Sequence, residues 1–115
     1  MEKFTTRLEE VLEKAKKADK KSCKVKLFKQ PVKYLVHPEA EITEEMEAYL
    51  FTADFDFDID GEHYVVRKVY ATEFATESFE AKLACRNLAN ARLKDDYKRL
   101  KDVGIEVEEK YFEDI

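Results

Sequence analysis

The sequence predicts an α+β fold: one domain ordered α-β-β-β-α-β, with an antiparallel sheet and two helices packed on one face. Three observations carry this. Helical spacing of apolar residues opens the chain and returns towards its end, two-residue alternation fills the middle, and Asp60-Gly61 separates two alternating runs as a hairpin turn would. The 115 residues are 44% hydrophobic and 41% charged, enough apolar material for a single core inside a solvated surface. Residues 1–115 are therefore read as one domain.

The first helix is expected from residue 2 to about residue 20, with Phe4, Leu8, Val11, Leu12 and Ala15 as its apolar stripe. Thr6 and Glu9 are spaced as a capping box. The lysines crowding its last turns suit the negative end of a helix dipole. Cys23, Val25 and Leu27 then alternate with Lys24 and Lys26 as a half-buried strand. After Pro31 the apolar positions Val32, Tyr34 and Val36 fall on the other parity, which predicts a bulge or bend near Phe28 to Pro31 on an edge strand.

A long second strand is expected from about Glu45 to Asp58, apolar at odd positions, with aspartate at 54, 56, 58 and 60. The third runs from His63 to about Phe74. A two-residue turn at Asp60-Gly61 sets Phe57 opposite Tyr64, Phe55 opposite Val66, Asp58 opposite His63 and Asp54 opposite Arg67. Thr76 is placed to cap a second helix from about Glu77 to Asp102, with Gly104 just past its end. Its stripe reads Ala81, Ala84, Cys85, Leu88, Ala89, Leu93, Tyr97 and Leu100. At about 1.5 Å per residue it outruns the sheet, so its C-terminal half is expected to overhang, with a homodimer through Leu93, Tyr97 and Leu100. Ile105 and Val107 suggest a last short strand.

The charges are sorted into blocks. Nine lysines lie between Lys14 and Lys33 against the single acid Asp19, and ten carboxylates with no Lys or Arg lie between Glu39 and Glu62. The net charge of −5 opposes general attraction to nucleic acid or to an anionic membrane. No apolar run reaches the roughly 18 residues needed to span a bilayer, and no signal-peptide pattern opens the chain, so a cytoplasmic protein is expected. Cys23 and Cys85, far apart, read as reduced core residues.

Asp56, Asp58 and Asp60 followed by Gly61 match the first half of a calcium loop. Position twelve of that loop is Arg67, where a bidentate glutamate belongs, and alternate strand side chains point in parallel without converging. No metal site is expected, and no cofactor. Two histidines, two glycines and no His/Cys cluster provide neither a nucleophile with its base nor a phosphate cradle. An enzyme is not expected.

Ala81-Lys82 followed by Ala84, Cys85, Leu88 and Ala89 resembles the second helix of the double-stranded-RNA-binding domain, whose element order is also α-β-β-β-α. That family presents paired lysines at the helix start. Here the matching residues are Ser78 and Phe79 between Glu77 and Glu80, carboxylates that repel a phosphate, and the chain is not assigned to the family.

The expected function is protein binding, as a small inhibitor or antagonist of the immunity or phage anti-defence type. Aspartates on one strand face repeat every roughly 6.8 Å, near two phosphate steps of about 3.4 Å, so Asp54, Asp56, Asp58, Asp60 and Glu62, with Glu44, Glu45 and Glu47, would meet a basic partner, nucleic-acid-binding proteins included, as a phosphate mimic. The bland counterpart is a cross-strand ladder, with Lys24 and Lys26 falling opposite or near Asp58 and Asp56. Two other classes compete: nucleic-acid binding through Lys16, Lys17, Lys20, Lys21, Lys24 and Lys26, and a small enzyme or ligand-binding cavity beneath the sheet.

Overall fold

In the computed structural model, which describes residues 3–4, 7–36 and 44–113, the elements run β1 (Lys3–Phe4), α1 (Leu8–Lys16), β2 (Lys21–Val36), β3 (Glu44–Ile59), β4 (Glu62–Phe74) and α2 (Phe79–Asp102). The expected order α-β-β-β-α is present, with the three long strands antiparallel. The sheet order is β1-β4-β3-β2, which makes β2 an edge. Residues 3–4 do not open the first helix as expected: Lys3 and Phe4 pair parallel with Tyr64 and Val65 of β4.

α1 begins after Arg7, which makes no side-chain cap; Thr6 lies outside the described residues. Leu8, Val11, Leu12 and Ala15 are buried along one face. Lys21 Nζ donates to the Ala15 carbonyl at 3.0 Å and so satisfies an acceptor at the helix end. Ser78 caps α2, its Oγ accepting from the Ala81 N–H at 3.2 Å, in place of Thr76. The other end closes as a Schellman motif: Gly104, at φ +84°, donates to Lys101 and Ile105 donates to Leu100.

The hairpin register is the expected one, with Phe57 facing Tyr64, Phe55 facing Val66, Asp58 facing His63 and Asp54 facing Arg67. Asp60 at φ +48° and Gly61 at φ +87° give both central residues of the turn the positive φ of type I′. The expected bulge in β2 is not there: its pairing with β3 is unbroken from Lys21↔Ile59 to Val36↔Glu44. The irregularity lies between β3 and β4 at Phe51 and Thr52, where Tyr70 is the extra residue.

Both helices pack on one face of the sheet. Phe51, Phe55, Phe57, Tyr64, Val66 and Tyr70 from the strands meet Val11, Leu12, Leu93, Tyr97 and Leu100 in a single cluster. The expected last strand does not form; residues 105–113 run irregularly over α2. Asn90 explains this by binding both the carbonyl and the N–H of Phe112, at 2.8 and 2.7 Å. Tyr97 does the same for Lys110, donating at 2.6 Å and accepting at 3.0 Å. Backbone groups that a strand would have paired are thus taken up by helix side chains, and Phe112 meets Phe51 edge-on at 5.1 Å.

The opposite face splits in two. Near the hairpin its rows across β2, β3 and β4 read Ser22/Asp58/His63, Lys24/Asp56/Val65 and Lys26/Asp54/Arg67. Further along they read Phe28/Thr52/Val69, Gln30/Leu50/Thr72 and Val32/Ala48/Phe74, with no charge at any position. On the helix-bearing face the change runs the other way, and Lys29 and Glu73 occupy positions beside Phe51 and Tyr49.

Candidate functional site: the acidic hairpin end

Of the acids singled out in the sequence, Asp54, Asp56 and Asp58 share the open face of β3, as alternation requires. Asp54 is engaged there. Arg67 Nε donates to its Oδ1 at 2.7 Å and Nη2 to its Oδ2 at 2.9 Å, a bidentate fork. The hydrogen bond to Asp54 also pushes the Arg67 pKa above its ordinary value. The same guanidinium lies 5.1 Å over the Phe28 ring. Asp56 bonds His63 Nε2. The lysine ladder is present one step from where the sequence reading set it: Lys24 faces Asp56 and Lys26 faces Asp54. Asp58 faces Ser22 on one side and His63 on the other.

Asp60 has a positioning task. Its Oδ1 accepts from the N–H groups of Asp19 and Lys20 at 3.1 and 2.8 Å, while its own N–H donates to the Lys20 carbonyl at 2.7 Å. The hairpin tip is thereby tied to the turn between α1 and β2. Glu62, at the start of β4, accepts from the Tyr64 hydroxyl. Glu44, Glu45 and Glu47 belong to the far end of β3, where Glu47 pairs in register with Lys33; the side chains of Glu44 and Glu45 lie outside the described residues. Eleven residues from Glu47 to Asp58 amount to roughly 36 Å of strand. The two acidic groups are therefore at opposite ends of the sheet and do not form one surface.

The candidate lysines do not gather either. Lys16 pairs with Glu13 at 2.8 Å, Lys21 bonds the end of α1, and Lys24 and Lys26 stand among the aspartates of the open face. Only Lys17 and Lys20, both exposed, are left of the six. Among the described residues no group of three His, Cys, Asp or Glu side chains could hold a metal ion, and no helix is long and apolar enough to cross a membrane.

The homodimer surface assigned to Leu93, Tyr97 and Leu100 is a correction: these residues are 0%, 2% and 0% exposed and lie in the core. α1 and the chain after Gly104 cover that half of α2. The overhang is at the other end, where Ala81 and Ala84 are exposed and Phe79 is exposed by 79%, Leu83 by 36% and Leu88 by 46%. An open cleft of about 440 Å³ beside this end is lined by Phe51, Phe79, Leu83, Lys29, Lys82 and Glu73, among others. A second, of about 610 Å³, lies between α2 and the chain after it, lined by Lys94, Tyr97, Lys101, Ile105 and Glu109, among others.

No family model, curated protein or solved structure matches the chain. Its site is therefore read from its own residues.

Sequence reasoning missed the buried polar groups. Asp96, 3% exposed, accepts from the Tyr70 hydroxyl at 2.6 Å, Lys68 Nζ at 2.7 Å and Arg99 Nη1 at 3.2 Å. Glu73, 7% exposed, takes Lys29 Nζ at 3.4 Å, and that ammonium also lies 5.0 Å over the Tyr49 ring. Asp96 sits between Leu93 and Leu100 on the helix stripe, which was the available signal. Cys23 is buried and Cys85 half-buried, both as free thiols. Burial pushes the Cys23 thiol up to about 12 and raises that of Cys85, away from nucleophilic use at neutral pH.

Proposed function

We propose that the chain is a protein-binding module, an inhibitor or antagonist that engages a basic surface through the acidic end of the β3–β4 hairpin. One observation carries the reading. Charge compensation along β3 stops towards the turn: Asp54 has Arg67 and Lys26, Asp56 has Lys24 and His63, and Asp58 has no lysine or arginine opposite it on either neighbouring strand. Asp58, Asp60 and Glu62, all exposed, then follow at one tip, held in position by the Asp60 bonds to Asp19 and Lys20. Asp58 on the open face and Glu62 beside Ile59 on the helix-bearing face flank Asp60, and carboxylates gathered at one end of the molecule steer association with a cationic groove and compete there with phosphate. Asp54 contributes little to such an encounter, since Arg67 already neutralises it.

Capture from a cell lysate on immobilised protein tests this, at low and at raised salt, with an Asp56→Asn/Asp58→Asn variant beside the wild type. A basic protein retained at low salt by the wild type, released by salt and displaced by added DNA, but not held by the variant, is the expected result. Equal capture by both proteins would refute it, and nuclease-sensitive capture would move the search to Lys17 and Lys20.

A further inference from the structure

We propose that the cleft beside the overhanging end of α2 is a binding site for a small amphipathic monoanion, a single carboxylate on an apolar body. One side of the helix lines it: Phe79, Lys82, Leu83 and Arg86 stand at i, i+3, i+4 and i+7 and so share a face. The other wall is the helix-bearing face of the sheet, with Lys29 of β2 beside Phe51 of β3 and Glu73 of β4 one pair further along. Its volume of about 440 Å³ is in the range of small-molecule sites. Towards its other end α2 buries Leu93, Tyr97 and Leu100, whereas here Phe79 is exposed by 79% and Leu83 by 36%.

The lining decides the ligand. Phe51, Phe79 and Leu83 offer apolar surface to a body that brings no polar groups of its own. Lys29 and Glu73 cancel each other: Glu73, 7% exposed, takes Lys29 Nζ at 3.4 Å, and that ammonium is also held 5.0 and 5.4 Å over the Tyr49 and Phe51 rings. The other charged residues of the lining are Lys82 and Arg86 against Glu113, a net charge of +1, which suits one carboxylate and not a polyphosphate. Lys82 is the anchor for the head. It is half-buried, and among the described residues it is in no ion pair. A partly desolvated ammonium without a counter-charge gains from an incoming carboxylate through a charge-assisted bond. Phe79 and Leu83 flank Lys82 on the same helix face, so head and body are gripped by one stretch of α2. The cleft between α2 and the chain after it balances three lysines with three acids and has no such excess.

Titration of isotope-labelled protein with decanoate, followed by amide NMR, tests this, with decyltrimethylammonium and acetate as probes of the apolar body and of the anionic head alone. An open cleft should hold decanoate with a dissociation constant on the order of 0.1–1 mM. The amides of Glu73, Phe79, Lys82 and Leu83 should shift saturably with decanoate, and with neither of the other probes over the same range. Lys82→Glu and Phe79→Ser should each weaken binding by about tenfold or more with circular dichroism unchanged. Phe79 is already in solvent, so its variant keeps the test valid even where Lys82→Glu fails to fold. No saturable shift with decanoate, an equal response to decyltrimethylammonium at these amides, shifts centred on Lys94 and Lys101 of the other cleft, or binding indifferent to Phe79→Ser would overturn the proposal. Asp56→Asn/Asp58→Asn should bind decanoate as the wild type does, so this cleft and the acidic hairpin end stand or fail separately.

Discussion

Replacing Asp96 by leucine should cost about 2–4 kcal/mol of stability, and the way that cost divides is open to test. Asp96 and Tyr70 are 3% and 2% exposed and bond at 2.6 Å between α2 and β4. Removing the carboxylate leaves a buried phenol hydroxyl without its acceptor, a penalty of about 1–3 kcal/mol. Lys68 and Arg99 also lose a partner, but their side chains are 37% and 38% exposed. Water takes them back, so these two pairs add only about 0.2–1 kcal/mol each. The hydroxyl therefore dominates, and Tyr70→Phe in the same chain should recover about 1–2 kcal/mol of the loss as a coupling energy. Urea unfolding followed by far-ultraviolet circular dichroism measures all three variants; tyrosine fluorescence serves as a second probe, since the chain has no tryptophan. A loss below about 0.5 kcal/mol for Asp96→Leu, the range of an ordinary surface substitution, would refute the reasoning, as would strict additivity with Tyr70→Phe.

Phe57→Ala, at a side chain 0% exposed and stacked 6.2 Å from Phe55, should lose about 3–5 kcal/mol in the same urea assay. Gly61→Ala meets no atom within 4 Å of the added Cβ, so its loss should be the conformational cost of φ +87° alone, about 1–2 kcal/mol, with the dichroism spectrum preserved. Alkaline pH should unfold the chain. Burial pushes Cys23 and Tyr97 up from ordinary values of 9.0 and 10.0 to about 12 each, and burial with the bond to Asp96 raises Tyr70 further. The folded state thus holds protons that the unfolded state releases. Their stabilisation is complete below pH 9, where both states are protonated, and falls above it by up to about 1.4 kcal/mol per pH unit for each group released. Thermal melts between pH 8 and pH 11 check the sign; a midpoint that is flat or rising across that window would contradict it.

What could be read in the sequence was what local chemistry decides. Asp60-Gly61 admits one tight turn, and that turn sets every pair from Asp58↔His63 to Asp54↔Arg67, because a slip of one residue would expose Phe55 and Phe57. The position of α2 over the sheet was not legible, since its stripe continues through Ala81, Ala84 and Leu88 as regularly as through Leu93 and Leu100. Which half is covered depends on α1 and on the chain after Gly104, whose strand-like Ile105 and Val107 gave no hint that Asn90 and Tyr97 would take up the later backbone groups. The acidic site divided for a related reason. Proximity in sequence put Glu44, Glu45 and Glu47 with the aspartates, whereas a 16-residue strand carries them to the opposite end.

The parity change after Pro31 shows how one sequence signal can have two structural answers. Apolar residues pass from odd positions, Cys23, Val25 and Leu27, to even ones, Val32, Tyr34 and Val36, and a bulge would have kept them all on the buried face. β2 instead pairs with β3 without a break, so Val32 falls on the open face, in line with Phe28 and Gln30. On the helix-bearing face the vacated positions are filled by Lys29 beside Phe51 and by Lys33 beside Glu47, near where α2 overhangs with Phe79 in solvent. The open face takes Val32 over the same span. A single helix-covered core would have favoured the bulge, since that arrangement buries every apolar residue of the strand at once. Keeping the register instead leaves Val32 half-buried on the face away from the helices, a cost in burial that the unbroken hydrogen-bond ladder of β2 with β3 offsets in part.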